Sequence, residues 1–136
     1  MSAPVVVAHA PDLLFSSRIG ETARRLGYGF RAARTLDDLR AALAERPALV
    51  MLDLGSRAVD PEAALGAIEA AGGPAPVVAW TTHVLWKETK RFHPRCDRVV
   101  TRETLTQRLP ELLSEWVEAR PTGPASGASS AGPAAE

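Results

Sequence analysis

Four polar residues lie at or just beyond the ends of short apolar segments, and these residues are the first candidates for chemistry. They are His9, Asp53, Thr81 and Arg102. Asp53 is an acid and Arg102 is a permanent cation, so the two could form a charge-assisted hydrogen bond. Whether the four side chains meet depends on how the apolar segments are arranged.

The apolar segments are predicted to be strands, and helix-like segments alternate with them five times. Residues 5–8 and 48–52 are continuous apolar runs, which are typical of strands buried on both faces. The other predicted strands are Tyr28–Ala33, Pro76–Trp80 and Arg98–Val100. Alternation with short connections predicts an α/β fold with a parallel sheet and helices on both faces. The carboxyl ends of parallel strands share one edge, so all four polar residues are expected there.

The helix boundaries carry local signals. Asp12 opens the first helix and Gly27 closes it, Thr35 can cap the second, and Asp60 begins a third that runs to Ala71. The remaining predicted helices are Leu85–Phe92 and Thr104–Ala119. Because Pro110 falls inside the last of these, that helix either begins near Leu109 or is kinked there.

Length and composition set the class of protein. The 136 residues suffice for one domain, which we place at 1–119, and the Pro, Gly, Ser and Ala of 120–136 predict a disordered tail. Sixteen basic residues balance sixteen acidic ones, which argues against a nucleic-acid binder. No apolar stretch is long enough to span a membrane, and the single cysteine gives no sign of an oxidising compartment, so we expect a cytoplasmic protein.

Metal and enzyme signatures are weak. The metal-binding residue types His9, His83, His93 and Cys96 lack paired spacing, so we interpret the histidines as surface or hydrogen-bonded residues and predict no metal site. His9 and His83 follow two strands that we expect to be neighbours, so the two side chains could approach each other. The sequence has no phosphate-binding glycine loop after the first strand and no diagnostic nucleophile motif, so we predict that the protein is not an enzyme.

Four segments together resemble a response-regulator receiver domain, the phosphoacceptor module of two-component signalling. The segments begin at Val5, Leu49, Pro76 and Cys96, and the resemblance covers about residues 4–119. Each is a pattern of low specificity, but their order and spacing are fairly specific for the fold. The resemblance implies a flavodoxin-like (βα)5 domain of three layers, with a five-stranded parallel sheet in the order 2-1-3-4-5.

The resemblance also assigns a phosphoacceptor pocket, and the sequence departs from it. Asp53 matches the phosphorylated aspartate and Thr81 the hydroxyl residue that contacts the phosphoryl group. Ala8 and His9 stand where the family has two acids that hold magnesium, and Arg102 replaces its lysine. Glu103 replaces the following proline, and Val99 stands where an aromatic switch residue is usual.

These departures predict a vestigial pocket made of Ala8, His9, Asp53, Thr81 and Arg102. Alanine offers no ligand and a neutral imidazole suits magnesium poorly, so we expect weak magnesium affinity and no cofactor. Phosphotransfer to Asp53 would then lose its charge neutralisation. We expect Asp53 to pair with Arg102 instead. Asp12 lies beyond the turn and is better explained as a helix cap.

A basic segment near the fourth predicted helix marks the expected partner surface. Receivers commonly use the face formed by the fourth helix, fifth strand and fifth helix for dimers and partners. Trp86 is a candidate exposed anchor there, next to Lys87, Lys90, Arg91 and Val99. Arg95, Arg98, Arg102 and Arg108 extend the basic excess. The alternative is a solvated face, because Glu88, Asp97 and Glu103 are interspersed.

Three hypotheses of function follow. The first is a stand-alone, degenerate receiver-like module that binds another protein, with an acidic partner or a homodimer as options, in a bacterial signalling pathway. The second is a working receiver that a histidine kinase phosphorylates at Asp53. The third, by fold analogy alone, is a small-molecule binder that uses the strand-end crevice.

Overall fold

A five-stranded parallel sheet forms the centre of the molecule. The structure is a computed structural model that describes residues 3–73 and 75–118. The strands are β1 (Val5–His9), β2 (Gly29–Ala32), β3 (Leu49–Asp53), β4 (Val77–Thr81) and β5 (Arg98–Thr101). They are arranged in the order β2-β1-β3-β4-β5, and all four neighbouring pairs are parallel. The predicted α/β fold class and strand order are confirmed.

Helices cover both faces of this sheet. They are α1 (Leu13–Arg25), α2 (Leu36–Leu43), α3 (Pro61–Ala71), α4 (Trp86–Thr89), α5 (Arg102–Gln107) and α6 (Leu109–Glu118). A 3₁₀ helix, Lys90–Arg95, continues directly from α4. Two buried clusters show the layers: α1, α5 and α6 pack on one face of the sheet, and α2, α3 and the 3₁₀ helix pack on the other.

Short polar side chains define where the helices begin, as the sequence predicts. Asp12 accepts a hydrogen bond from the Phe15 N–H at 3.1 Å, and Asp60 does the same for Glu62. Thr35 caps α2 in a capping box with Asp38. These caps satisfy N–H groups that have no partner inside a helix. The caps thereby determine the residue at which each of these helices begins.

The last predicted helix is divided in two. Thr101 caps α5 by accepting a hydrogen bond from the Thr104 N–H, so the helix begins at Arg102 rather than at Thr104. It ends at Gln107, and α6 starts at Leu109 with Pro110 in its first turn, where proline needs no N–H partner. The alternative in which a helix begins near Leu109 is therefore correct. Ala119, the predicted end, lies outside the described residues, as does the predicted tail at 120–136.

The fourth helix also differs from its prediction. A helix was expected over Leu85–Phe92, but only Trp86–Thr89 is α-helical, and a 3₁₀ helix then runs past Pro94 to Arg95. Arg95 fixes the end of this segment on α3, because its guanidinium binds Glu69 at 2.8 Å and Glu62 at 3.0 Å. One cation of the predicted basic surface is thus neutralised within the protein.

No helix in ranges 3–73 and 75–118 has the length and apolarity needed to cross a bilayer.

Two leucines provide a test of this packing. Leu105 of α5 is fully buried against the sheet, whereas Leu14 of α1 is 85% exposed. We expect Leu105→Ala to lower the free energy of unfolding by about 2–5 kcal/mol, because it removes buried methyl groups and leaves a cavity. Leu14→Ala should change it by no more than about 0.5 kcal/mol. Urea denaturation of both variants checks the pair, and equal effects would contradict the packing described.

Candidate functional site

The carboxyl ends of three adjacent strands bring His9, Asp53 and Thr81 to one edge of the sheet. The register places His9 opposite Leu52, and Asp53 opposite Trp80. All three side chains are buried, with exposures of 4% for His9, 5% for Asp53 and 0% for Thr81. These three polar side chains lie at the same edge, as predicted, but they are shielded from solvent.

The His9 side chain is held by the neighbouring strand segment. Its Nδ1 lies 2.8 Å from the carbonyl oxygen of Ala33, the residue after β2. Because a carbonyl can only accept, the Nδ1 atom carries the proton. The expectation that His9 and His83 follow neighbouring strands is wrong, since β3 lies between β1 and β4. Among the residues described, no three His, Cys, Asp or Glu side chains are grouped so that they could hold a metal ion.

Asp53 is tied to the loop that follows it. Its Oδ1 accepts a hydrogen bond from the Gly55 N–H at 2.8 Å. Burial is the largest influence on the Asp53 carboxyl and raises its pKa, whereas the Gly55 hydrogen bond and the charge of Arg102 oppose this shift. The nearby Asp12 carboxylate raises the pKa further. Asp53 is therefore a buried acid whose charge is poorly compensated.

Arg102 does not pair with Asp53, which corrects the expectation from the sequence. Its Nη2 donates to Asp12 Oδ2 at 2.8 Å, and its guanidinium lies over the ring of Phe15, 4.5 Å from the centroid. Both contacts are with the start of α1. Arg102 keeps 42% of its side chain exposed in this position. Pairing with Asp53 would require the guanidinium to lose more water, which costs free energy.

Asp12 therefore has a second role that its sequence position did not reveal. It caps α1 and also holds Arg102 from a position 90 residues away in the chain. The Phe15 N–H and then the Arg102 guanidinium lower the pKa of Asp12, so it stays ionised. The sequence around Asp12 predicts its role as a helix cap. Nothing in local spacing indicates a partner so distant.

Thr81 has a buried hydroxyl without a hydrogen-bond partner within the described part of the chain. The loop after Asp53 packs closely above it: a Cβ atom at Gly55 would lie 3.5 Å from both Thr81 Cα and Asp53 Oδ1. Ala8, on β1 next to the strand of Asp53, is fully buried and provides no donor or acceptor side chain. The loop and the strand ends thus enclose Asp53 and Thr81 together.

These residues do not fit a magnesium ion. Magnesium requires near-octahedral coordination by oxygen atoms. Asp53 is the one carboxylate that ends a strand here, and the next carboxylate, Asp12, already binds Arg102. Ala8 has no ligand atom and His9 is bonded to a carbonyl. The matched positions therefore offer one carboxylate, Asp53, where the resemblance implies three acids.

The predicted partner surface is only partly as expected. Trp86 is half-buried rather than fully exposed, because its ring packs edge-on against His93 with centroids 4.7 Å apart. His93 in turn lies 3.0 Å from the Thr89 hydroxyl through Nε2, and burial lowers the pKa of His93. Val99 is half-buried. Lys87, Lys90 and Arg91 are exposed, as predicted.

A groove of about 540 Å³ lies between these elements. Trp86, His93 and Pro94 form one side, and Thr104 of α5 forms the other. The base consists of Cys96, Asp97 and the whole of β5. The groove therefore lies within the predicted face of the fourth helix, fifth strand and fifth helix.

Comparison with known proteins finds similarity at the level of structure. No protein-family model matches the chain, and no curated protein matches it. The receiver domain of the sensor histidine kinase PA1611 from Pseudomonas aeruginosa, solved with a magnesium ion in its active site cleft, is 16% identical with a TM-score of 0.71. The match covers 86% of this chain and 99% of that domain.

Two further solved structures give the same result. The receiver domain of a Francisella response regulator is 13% identical with a TM-score of 0.69, over 86% of this chain and 98% of that one. NtrX from Brucella abortus is 24% identical with a TM-score of 0.70, over 87% of this chain and 27% of NtrX. The fold is therefore the one that receiver domains have. At these identities the likeness establishes the fold and not the chemistry.

The position of Arg102 can be tested through the acid that it does not bind. Arg102→Ala should raise the pKa of Asp53, because a nearby positive charge is lost. Asp12→Asn should lower it, because a negative charge is removed and Arg102 is released. Titration of the Asp53 carboxyl carbon by NMR measures both shifts. Arg40→Ala in α2 is the control, and a fall in the pKa with Arg102→Ala would contradict the described geometry.

Proposed function

We propose that this chain is a receiver-like signalling module that acts by binding another protein. In this proposal it works without conventional magnesium-dependent phosphorylation of Asp53. The receiver fold supports a role in two-component signalling at the coarse level. The departures at the strand ends support the phosphorylation-independent form of that role.

The state of Arg102 is the observation that carries the proposal. In a phosphoacceptor site a cation must be available to the incoming anion, since charge neutralisation is a large part of phosphoryl-transfer catalysis. Here the Arg102 guanidinium is bound to Asp12 and stacked on Phe15. Asp53 is buried, and burial raises its pKa. Both features oppose attack by Asp53 on a phosphoryl group.

The surface charge supports a protein partner. Lys87, Lys90 and Arg91 are exposed, and within the described ranges no ion pair joins them to an acid. Lys87 follows Trp86, which lines the groove beside β5, and Lys90 lies near His93, which also lines it. An acidic partner would match this surface. Charge complementarity of this kind accelerates encounter and depends on salt.

A working phosphoacceptor receiver is the second candidate, and one observation favours it. Asp53 and Thr81 end adjacent strands, and the buried Thr81 hydroxyl has no partner among the described residues. A phosphoryl oxygen would satisfy that hydroxyl. The two candidates differ in whether Asp53 reacts.

A phosphoryl analogue separates the candidates. We expect beryllofluoride with magnesium to leave the melting temperature of the full chain unchanged, because the ligands for the ion are missing. Incubation with acetyl phosphate should add no phosphoryl group by mass spectrometry. Asp53→Asn is the control, since a gain of mass seen in the wild type and lost in this variant would establish the second candidate.

Partner capture tests the interaction itself. We expect Asp53→Ala to retain a partner captured from the native cell, whereas Lys87→Glu combined with Lys90→Glu should reduce capture severalfold, with a stronger effect at low salt. Quantitative mass spectrometry of the captured proteins measures both. Arg18→Glu, a charge reversal at an exposed position of α1, is the matched control. Loss of the partner with Asp53→Ala alone would contradict the proposal.

A further inference from the structure

The groove beside β5 follows the outer edge of the described sheet. Within residues 3–73 and 75–118, β5 is the terminal strand of the sheet and pairs with β4 alone. Consecutive residues of β5, from Arg98 to Thr101, all line the groove. Successive side chains in a strand point to opposite faces. A groove lined by all of them must therefore run along the edge of the strand and not over one face.

The dimensions and walls of the groove match an extended chain. The four residues of β5 span roughly 13 Å, at about 3.3 Å per residue. Trp86, His93 and Pro94 rise on one side, and Thr104 rises on the other. The space between them is about 540 Å³ and is open to solvent. The groove thus has helical residues on two sides and a strand at its base.

An edge strand is itself a binding element. The N–H and C=O groups on the outer side of a terminal strand can form a ladder with another chain. Proteins commonly block such edges with proline, with inward-pointing charges, or with a covering helix or loop. The residues Val99 and Val100 at the centre of β5 are β-branched and favour strand pairing. Residues 98–101 contain no proline.

We propose that this groove binds an extended segment of a partner protein, which adds to β5 as a sixth strand. The inference rests on the proposed function and specifies the class of partner. Main-chain hydrogen bonds to β5 provide affinity, as in other cases of strand addition. Alternate side chains of the segment pack against Trp86 and Val99. On that same side of the segment, acidic residues that flank the apolar ones reach the cationic rim, and the remaining side chains point toward Thr104 and solvent.

The rim selects acidic residues in that segment. Lys87 follows Trp86 in α4, Lys90 lies near His93 of the same wall, and Arg91 continues this exposed run of like charge. A second copy of this chain is disfavoured in the groove, because a two-fold interface presents the same patch on both subunits. Two such rims would then be brought close together and repel. An acidic segment neutralises the rim instead.

Peptide selection tests the proposal with a defined probe. Octapeptides from a random display library are selected on the full chain, and binders that remain bound to Trp86→Ala are removed. We expect acidic sequences with alternating apolar residues. Methylation of alternate main-chain nitrogens on the side that faces β5 should weaken a selected peptide about tenfold, since roughly two hydrogen bonds are lost. Methylation on the other side is the matched control.

Amide hydrogen exchange gives a second measurement that does not depend on a variant. Bound peptide should slow exchange in β5 and leave β2, the opposite edge strand, unchanged. A failed selection, equal effects of the two methylation patterns, or unchanged exchange in β5 would each overturn the proposal. So would dimerisation in sedimentation that competes with the peptide. If the rim variant still loses its native partner while these tests fail, the proposed function stands and only strand addition is wrong.

Discussion

Arg102 lies near two acids and binds the one that is more exposed to solvent. Asp12 offers a carboxylate that is 41% exposed, while Asp53 is nearly enclosed. A guanidinium bonded to Asp12 retains part of its hydration and also gains the face of Phe15. Because Arg102 binds Asp12, the buried Asp53 carboxyl has no direct contact with this cation. The carboxyl edge of the sheet therefore contains a cation and an acid that do not neutralise each other directly.

This arrangement explains why a retained aspartate is weak evidence for retained chemistry. A carboxylate that reacts as a nucleophile must be ionised, accessible and near a group that accepts the developing charge. Asp53 is buried beneath the Gly55 loop, and burial favours its neutral form. The strand supplies the residue, but the surroundings determine what the residue can do.

Much of the fold could be predicted because its signals are local. The apolar runs at Val5 and Leu49 and the cap residues Thr35 and Asp60 each act within a few residues. The break between α5 and α6 was signalled by Pro110, although the start at Arg102 was not. The start of α5 at Arg102 depends on the Thr101 hydroxyl, which caps the helix from the end of β5.

The site was less predictable because it depends on competition between distant groups. Proximity at the sheet edge was inferred correctly for Asp53 and Thr81. The partner of Arg102 was inferred wrongly, because the choice between two acids depends on their burial, which the sequence pattern does not contain. The basic surface was overestimated for the same reason, because the sequence does not show which cations form ion pairs within the protein. Arg95 and Arg102 contribute to the charge count, yet α3 and α1 neutralise them.

Cys96 gives the β5 groove a chemical property of its own. Burial raises the pKa of this thiol to about 11, and its Sγ lies 3.5 Å from the Phe92 carbonyl oxygen. The thiolate is the form that oxidants and alkylating reagents attack, and at neutral pH it is a very small fraction of the total. Cys96 therefore lines the base of the groove as a neutral thiol that donates to the Phe92 carbonyl. Swings in cellular redox potential should leave the shape of this surface unaltered.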